Sequence, residues 1–386
     1  MNPRESFRRA VAGTLDVAPE HVTLFWKGRV AFYAILRALG VGTGDEVVVP
    51  AFTCVAVPNA IIYAGARPVY ADIDERTFTL DPVAAAAAIG PRTRVVLAQS
   101  TFGLSSDIDA LAALAADHGA VVVDDCTHGF GGSYRDTPNG LAATAGFYST
   151  QWSKPFSTGL GGIAVTTEPG LAADLRALER TAREPGAREQ AALRTMVWAR
   201  ERLRTPRAIA TGRTVYRALG QAGLVPGSSS RHELVGTGMS ASFFTRMSPA
   251  QGRIGAPRVS ALDASVRRRR AVAQAYSERL DAHGRIPALE PPQTLHAFLR
   301  YPLRVRGRDA FRAEARRRRV DLGDWFTSPV HPLTGDLTAW GYRGGTAPVA
   351  ERIAADIVNL PTDVAPGSTH MHSVTRLLDA SVEHLL

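Results

Sequence analysis

The first half of the chain alternates short apolar runs with amphipathic stretches, which predicts strands alternating with helices. Strands are predicted at 23–26, 46–49, 67–72, 93–98, 120–124, 146–150 and 162–166. Apolar residues at helical spacing predict helices at 28–39, 55–63, 82–89 and 107–118. This alternation favours an α/β fold with a large, mainly parallel sheet sandwiched by helices.

The second half has a different pattern. Residues 169–235 are rich in alanine and arginine and are predicted to be helical, with breaks at Pro185 and Pro206 and a loop at 226–230. Further elements are predicted as a helix at 259–282, a strand at 297–305, a helix at 310–319 and a helix from about 373. We therefore predict a large domain over 1–255, which includes the arginine-rich helical segment 169–235, and a smaller C-terminal α+β domain over 256–386.

Positive charge is concentrated in the second half. The formal net charge is +9, with −5 over residues 1–175 and +14 over residues 176–386. Arginine runs at 267–270 and 316–319 lie in predicted helices and have no interleaved aromatic residues. This pattern favours solvated helix faces over a nucleic-acid surface.

Composition narrows the class of protein further. No apolar run reaches the ~18 residues that a membrane span needs, and the N-terminus does not resemble a secretion signal. Cys54 and Cys126 are too few for a disulfide framework, and their spacing to His128 does not suit zinc. We predict a cytoplasmic protein with buried free thiols, no metal and no membrane partner.

Lysine is scarce in this chain. Of 45 basic residues only Lys27 and Lys154 are lysines. Arginine stays protonated and forms no Schiff base, whereas lysine can lose its proton and attack a carbonyl. Presence by chance, without a function, is a reasonable interpretation of Lys27. It is a poorer interpretation of Lys154, because of the residues around it.

The surroundings of Lys154 suit pyridoxal phosphate. Asp124 and Asp125 end a predicted strand, and Lys154 follows about thirty residues later, before the glycine-rich turn 159–162. That cofactor needs a lysine for its Schiff base and a carboxylate that keeps its pyridine nitrogen protonated. Strand alternation alone does not choose between the two aspartates. Ser149 and the helix start at Gly28 are candidates for binding the phosphate.

Several motifs in the same order resemble the DegT-type aminotransferases, which are fold-type-I pyridoxal-phosphate enzymes that aminate ketosugar nucleotides. The motifs are Gly44-Asp45-Glu46-Val47-Val48-Val49-Pro50-Ala51-Phe52-Thr53, Asn59-Ala60, Gly65-Ala66-Arg67-Pro68-Val69, Asp72-Ile73-Asp74, Thr101-Phe102-Gly103, Thr245-Arg246-Met247, Ser328-Pro329-Val330-His331 and Asn359-Leu360-Pro361. The resemblance covers most of the chain.

The resemblance implies roles for individual residues. It implies that Asp125 pairs with the pyridine nitrogen, that Lys154 forms the Schiff base and that Ser149 binds the phosphate. Arg246 lies in the segment that reaches the neighbouring subunit's cofactor in this family, which implies a homodimer with shared sites. His331 and Phe102 are the implied substrate-binding residues, together with Lys27 as a further candidate.

Four positions differ from the family pattern. His128 replaces a glutamine beside the cofactor's ring oxygen, Cys54 replaces an aromatic residue over the ring, Arg29 replaces a small residue of the phosphate turn, and Phe244 replaces an asparagine. Positive charge at a helix start is unfavourable unless an anion is near. We therefore expect Lys27 and Arg29 to face the phosphate of the cofactor or of a substrate.

Simpler interpretations of these residues remain open. His128 is about as well explained as a hydrogen-bonded core histidine, and His331 as a loop histidine. Lys27 and Arg29 are also compatible with an exposed helix start.

The expected function is transfer of an amino group from glutamate or glutamine to a keto group, most often that of a nucleotide sugar, in natural-product biosynthesis. Keeping Lys154 argues against the family's dehydratase branch, which has histidine there. One alternative is a pyridoxal-phosphate enzyme of the same fold that acts on a non-sugar ketone or an amino acid. Another is a non-catalytic relative or a basic nucleic-acid binder. We expect small-molecule partners and no nucleic acid.

Overall fold

A computed structural model describes residues 2–202 and 231–386. The chain divides into two compact units. The first takes in Met1–Asp45, Val55–Arg67 and Thr144–Ala261, and the second Glu46–Cys54, Pro68–Ala143 and Leu262–Leu386, as far as these ranges are described. The predicted domain boundary at 255 stays a prediction. The predicted break at Pro206 and the predicted loop at 226–230 lie outside the described residues.

The first unit combines three antiparallel strands with helices. Its strands are β1 (Val22–Phe25), β9 (Ala145–Ser149) and β10 (Gly162–Val165). Its helices are α1 (Pro3–Leu15), α2 (Gly28–Ala38), α3 (Ala56–Tyr63), α6 (Pro169–Thr181), α7 (Ala187–Arg202), α8 (Arg231–Val235) and α9 (Pro249–Val259). Strand β10 lies between β1 and β9 and is antiparallel to both.

The second unit contains the parallel strands. Its main strands are β2 (Glu46–Pro50), β4 (Arg67–Ala71), β5 (Thr93–Gln99) and β6 (Val121–Asp125), in the order β6-β5-β2-β4. Short strands are β3 (Thr53–Cys54), β7 (Ser133–Tyr134), β8 (Thr137–Pro138), β11 (Thr294–Leu295) and β13 (Val330–His331), and β12 (Arg300–Arg304) pairs with β14 (Ile357–Pro361). Its helices are α4 (Pro82–Ala88), α5 (Ile108–Ala116), α10 (Leu262–Ala282), α11 (Arg308–Arg317), α12 (Pro348–Asp356) and α13 (Thr369–Asp379).

An apolar core fixes the parallel strands against two helices. Val48, Val96 and Val122 come from β2, β5 and β6 and are at most 3% exposed. Ala85 of α4 and Leu111 of α5 belong to the same buried cluster. Because side chains alternate across a strand, the other positions at the strand ends are left for polar groups.

The secondary structure predicted for the first half is confirmed. Each predicted strand there is present with bounds that differ by one residue at most, and each helix with bounds that differ by two at most. In the second half the helix predicted at 259–282 begins at Leu262 and is preceded by a separate helix, α9, that the pattern did not predict. Pro257 lies inside α9, and Gly252 approaches α1 so closely that an added Cβ would lie 2.5 Å from the Pro3 carbonyl oxygen.

The arginine run 267–270 is solvated only in part. Arg267 and Arg268 are exposed as predicted, but Arg269 is 7% exposed. Its guanidinium donates to the Leu299 carbonyl (3.0 Å) and to the Thr362 hydroxyl (3.1 Å). Burial lowers the pKa of Arg269 to about 10. The prediction of a wholly solvated face was therefore wrong at this residue, because two acceptors inside the second unit bind Nη1 of the buried guanidinium.

Helices of the described ranges give no candidate membrane span, since none combines sufficient length with sufficient apolar character.

A buried ion pair fastens α8 within the first unit. Arg29 Nη1 lies 2.5 Å from Glu233 Oε1, and the two side chains are 6% and 8% exposed. The Asn59 side chain also donates to the Glu233 backbone carbonyl (3.0 Å). Removal of one partner from such a pair leaves a buried charge without compensation, which is costly in free energy.

We expect Arg29→Met to lower the free energy of unfolding by about 3 kcal/mol, the low end of the range for a broken buried ion pair. The low end is expected because the positive charge of Lys27 remains near Glu233. Glu233→Leu should cost a similar amount. The double variant Arg29→Met/Glu233→Leu should lose much less than the sum of the two, as measured by urea unfolding in a double-mutant cycle. Additive losses would contradict a direct interaction.

Candidate active site

The N-terminus of α2 lies against the end of β9. Lys27 is the N-cap residue but makes no capping hydrogen bond with its side chain. Side-chain caps are present on the helices that begin after Asn2, Asp81, Asp107, Ser248 and Ser368, and absent from those that begin after Val55, Glu168, Gly307 and Ala347. A Cβ added to Gly28 would lie 2.9 Å from Ser149 Cβ and 3.4 Å from Ser149 Oγ. Helix N–H groups without a side-chain cap, beside a hydroxyl, form an arrangement that suits a phosphate.

The strand β10 keeps this helix start in place. An added Cβ at Gly162 would lie 2.1 Å from the Lys27 carbonyl oxygen, so no larger residue fits there. The same carbonyl accepts the Val30 N–H (3.0 Å). Gly162, which was predicted to belong to a glycine-rich turn, therefore permits close contact between β10 and the start of α2.

Lys154 lies in the segment after β9, whose two ends are joined by a hydrogen bond between threonine hydroxyls. Its N–H donates to the Gln151 carbonyl (3.0 Å), and the Thr150 and Thr158 hydroxyls are 2.6 Å apart. An added Cβ at Gly161 would lie 2.0 Å from Thr150 Oγ1, so the glycine-rich turn packs directly on this segment. The Lys154 side chain is half-buried. The first unit thus brings Ser149 and Lys154 together, one at the end of β9 and one shortly after it.

The two cations at the start of α2 face a carboxylate of this chain. Glu233 pairs with Arg29, as described above. Burial, with a smaller contribution from the charge of Arg29, lowers the pKa of Lys27 from 10.5 to about 8, although Glu233 opposes the shift. An anion beside Lys27 and Arg29 was expected, and a protein carboxylate fills that role. Sequence reasoning missed Glu233 because it is 204 residues from Arg29.

Arg246 and Phe244 occupy the segment before α9. Arg246 forms an ion pair with Glu184, and its N–H donates to the Arg183 carbonyl (3.0 Å). The Nε atom of Arg246 is buried without a hydrogen-bond partner in the part of the chain that the structure describes. Phe244 replaces the family's asparagine and packs on Tyr33, with ring centroids 5.5 Å apart.

In the second unit, β6 ends in two aspartates that alternation directs to opposite faces. Asp124 is 1% exposed and its Oδ2 accepts the Gly140 N–H (2.9 Å). Burial raises the pKa of Asp124 from 3.8 to about 7. Asp125 is 5% exposed and its Oδ1 accepts the Thr127 N–H (2.9 Å). The structure therefore places both aspartates at the end of β6 as buried carboxyl groups, each with a backbone N–H donor.

His128 is a buried histidine with defined contacts. It is 5% exposed, its Nδ1 accepts the Phe102 N–H (3.2 Å), and its ring stacks on Trp325 at 4.6 Å between centroids. The Phe102 side chain is fully buried and meets Phe52 edge-on at 6.0 Å. Phe102 therefore reaches the site with its backbone, whereas its ring belongs to the core.

Cys54 and His331 are neighbours in a short parallel pair, β3 with β13. His331 Nδ1 accepts the Thr327 N–H (3.3 Å). Burial lowers the pKa of His331, although Asp324 opposes the shift. Cys54 is partly exposed, whereas Cys126 is fully buried, and both are free thiols. The prediction of a buried thiol is thus confirmed for Cys126 and wrong for Cys54.

The candidate residues are shared between the units. The first unit carries Lys27, Gly28, Arg29, Ser149, Lys154 and Arg246. The second carries Cys54, Phe102, Asp125, His128 and His331. Across residues 2–202 and 231–386 the structure contains no group of three or more histidine, cysteine or acidic side chains that could hold a metal ion.

The raised pKa of Asp124 predicts a pH dependence of stability. Between about pH 4 and pH 7 the folded state binds more protons at this carboxyl than the unfolded state, so its contribution to stability falls as the pH rises. Asp124→Asn removes the titrating carboxyl group, and with it the loss of stability at rising pH, while the amide oxygen can still accept the Gly140 N–H.

We therefore expect the stability of Asp124→Asn relative to the unaltered protein to increase from pH 4 to pH 8, as measured by urea unfolding. Asp117→Asn, at an exposed aspartate after α5, is the matched control and should show no such trend. A constant difference for Asp124→Asn across this range would contradict the account.

Comparison with known proteins identifies the family. The model of the DegT/DnrJ/EryC1/StrS aminotransferase family matches residues 4–379. The chain is 38% identical over 166 residues to the L-glutamine:2-deoxy-scyllo-inosose aminotransferase of Streptomyces lividus, which covers 43% of this chain and 39% of the relative. It is 40% identical over 154 residues to the UDP-2-acetamido-2-deoxy-3-oxo-D-glucuronate aminotransferase of Pseudomonas aeruginosa, which covers 40% of this chain and 43% of the relative. The chain thus spans about two-fifths of the length of these curated relatives.

Solved structures show the same fold over nearly the whole chain. A DegT DnrJ EryC1 StrS aminotransferase from Brucella abortus has a TM-score of 0.74 at 20% identity and covers 98% of this chain and 90% of that one. The aminotransferase TlmJ from Streptoalloteichus hindustanus has a TM-score of 0.74 at 24% identity and covers 99% and 91%. The predicted fold-type-I architecture is confirmed. With the family model matched from residue 4 to residue 379, the chain belongs to the DegT/DnrJ/EryC1/StrS aminotransferase family.

Proposed function

We propose that this protein is a pyridoxal-phosphate-dependent aminotransferase that transfers an amino group from glutamate or glutamine to a keto group of a sugar or a sugar-like ring. The observation that carries the proposal is Lys154, one of two lysines in the chain, which lies five residues after the strand end at Ser149 within the matched family region. The names of the relatives supply the donor and the acceptor class.

The residues of the chain fit the cofactor. The start of α2, which lacks a side-chain cap, and the Ser149 hydroxyl offer donors for a phosphate, and the small Gly28 lets the Ser149 side chain approach the helix start. Asp125 ends β6 as a buried carboxylate candidate for the ring nitrogen, and Lys154 is half-buried. When bound, pyridoxal phosphate supplies an electron sink that stabilises negative charge at the carbon bearing the amino group.

Each residue then has a specific task. Lys154 would hold the cofactor through Nζ and, once displaced by the amino donor, would move a proton as general base and acid. Asp125 would hold a proton on the pyridine nitrogen. His128 would donate a hydrogen bond from Nε2, since Nδ1 accepts the Phe102 N–H.

The contacts of Arg29 change the proposal for the phosphate. Because its guanidinium pairs with Glu233, we propose that Arg29 serves the phosphate through its backbone N–H and the helix start. Lys27, with a pKa of about 8, is the cation that we propose for a substrate anion at this position.

The remaining expectations stay proposals. Homodimer formation through the Arg246 segment, a role for Cys54 near the cofactor and a role for His331 near the substrate rest on the family resemblance. A cytoplasmic location rests on composition. Whether the acceptor carries a nucleotide is left to assay, since the names of the relatives include both a UDP-sugar and an inosose.

We predict that Lys154→Ala abolishes transamination without loss of folding, because a half-buried lysine contributes little to packing. Borohydride reduction of the cofactor-loaded protein followed by peptide mapping should place the label on Lys154. Lys27→Ala is the matched control, because Lys27 is the only other lysine of the chain, and this variant should still be labelled at Lys154. Label on Lys27, or no label at all, would overturn the proposal.

A further inference from the structure

Asn359 holds the backbone of Trp325 from both sides. Asn359 Oδ1 accepts the Trp325 N–H (2.9 Å), and Asn359 Nδ2 donates to the Trp325 carbonyl (2.6 Å). Asn359 is fully buried in β14, where its register partner is Pro302 of β12. An added Cβ at Gly323 would lie 2.7 Å from Asn359 Oδ1, so the chain before Trp325 also packs tightly on this amide. The Asn359-Leu360-Pro361 motif thereby fixes a loop peptide that lies 34 residues earlier in the chain.

The indole fixed in this way stacks on His128. The two ring centroids are 4.6 Å apart and the planes meet at 20°. Phe326 adds a second, nearly parallel contact at 5.8 Å and 19°. Two consecutive aromatic residues of one loop therefore define the plane in which the imidazole lies, because offset stacking has a preferred geometry.

A backbone N–H group determines which ring nitrogen of His128 carries the proton. Phe102 donates its N–H to His128 Nδ1 (3.2 Å), so that nitrogen carries no proton, and the neutral ring carries its proton on Nε2. Phe102 adopts a left-handed φ of 58°, which is uncommon for a bulky residue. Its fully buried ring, packed against Phe52 and Phe78, holds it in that conformation.

These contacts form one chain of support inside the second unit. Asn359 orients Trp325, and Trp325 keeps the His128 ring in the plane in which Nδ1 accepts the Phe102 N–H. That hydrogen bond in turn sets the tautomer. We propose that Asn359 and Trp325 are positioning residues that hold His128 as the neutral Nε2–H tautomer, so that it presents a fixed hydrogen-bond donor to an oxygen atom of the bound ligand. The identity of that ligand rests on the proposed function, whereas the tautomer and its support do not.

The direct test measures the tautomer. Long-range ¹H–¹⁵N NMR of cofactor-free protein labelled with ¹⁵N-histidine distinguishes the two ring nitrogens, and His128→Gln identifies the signals of His128. We expect the Nε2–H pattern in the unaltered protein and in Trp325→Phe, which keeps a ring. In Trp325→Leu and Asn359→Leu we expect the Nδ1–H tautomer to rise at least about tenfold. Trp198→Leu, which alters an exposed tryptophan of the first unit, is the matched control and should leave the pattern unchanged.

A second readout uses the loaded enzyme. We expect Trp325→Leu to lower kcat at least about tenfold, to leave KM for the amino donor within about twofold, and to alter the absorbance of the bound cofactor. Trp325→Phe should restore both properties. If Trp325 only packed against His128, its replacement by leucine would lower the stability of the protein and leave the tautomer of His128 and the absorbance spectrum unchanged.

The results distinguish a failure of the tautomer inference from a failure of the proposed function. An Nε2–H pattern that persists in Trp325→Leu overturns the inference, even if the enzyme is active. Absence of cofactor binding by the unaltered protein overturns the proposed function and leaves the tautomer result to decide the inference. If Asn359→Leu fails to fold, the Trp325 variants still decide it, because that half-buried side chain can be replaced while the Asn359 amide remains.

Discussion

The close approach of Gly28 to Ser149 is the contact on which the candidate site depends. It brings the start of α2, which has no side-chain cap among the described residues, against the end of β9. Gly162 of β10 permits it from the other side by leaving room for the Lys27 carbonyl. Lys154 follows the end of β9 by five residues, so the proposed Schiff-base lysine and the helix N-terminus belong to the same unit. Glycine at these positions therefore has a steric reason that is independent of backbone flexibility.

Charge at this helix start is balanced by the protein itself. Two cations beside the positive end of a helix are unfavourable unless an anion is near, and Glu233 provides one through its buried pair with Arg29. Under the proposed function, a phosphate would therefore be bound by the backbone N–H groups and the Ser149 hydroxyl, because the Arg29 side chain pairs with Glu233 of α8. Burial also leaves Lys27 with a pKa of about 8, so its charge changes within an accessible pH range.

The sequence predicted the main strands of the first half and four of its helices, because these follow from local periodicity. It did not predict α1 (Pro3–Leu15). It could not reveal Glu233 as the partner of Arg29, since the pairing spans 204 residues. It also missed the stack of Trp325 on His128, which requires the tertiary fold. The arginine run around Arg269 looked solvated because a pattern of charges does not show the buried carbonyl that accepts from it.

The most direct test of the proposed cofactor site is the affinity for pyridoxal phosphate when one methyl group is added at the start of α2. Gly28→Ala places a Cβ 2.9 Å from the Ser149 Cβ. Gly13→Ala, at an exposed position of α1 with no described atom within 4 Å, is the matched control. An absorbance titration of cofactor-free protein should show an affinity at least about tenfold weaker for Gly28→Ala, or about 1.4 kcal/mol, and an unchanged affinity for Gly13→Ala. Equal affinities in both folded variants would contradict a phosphate site at this helix start.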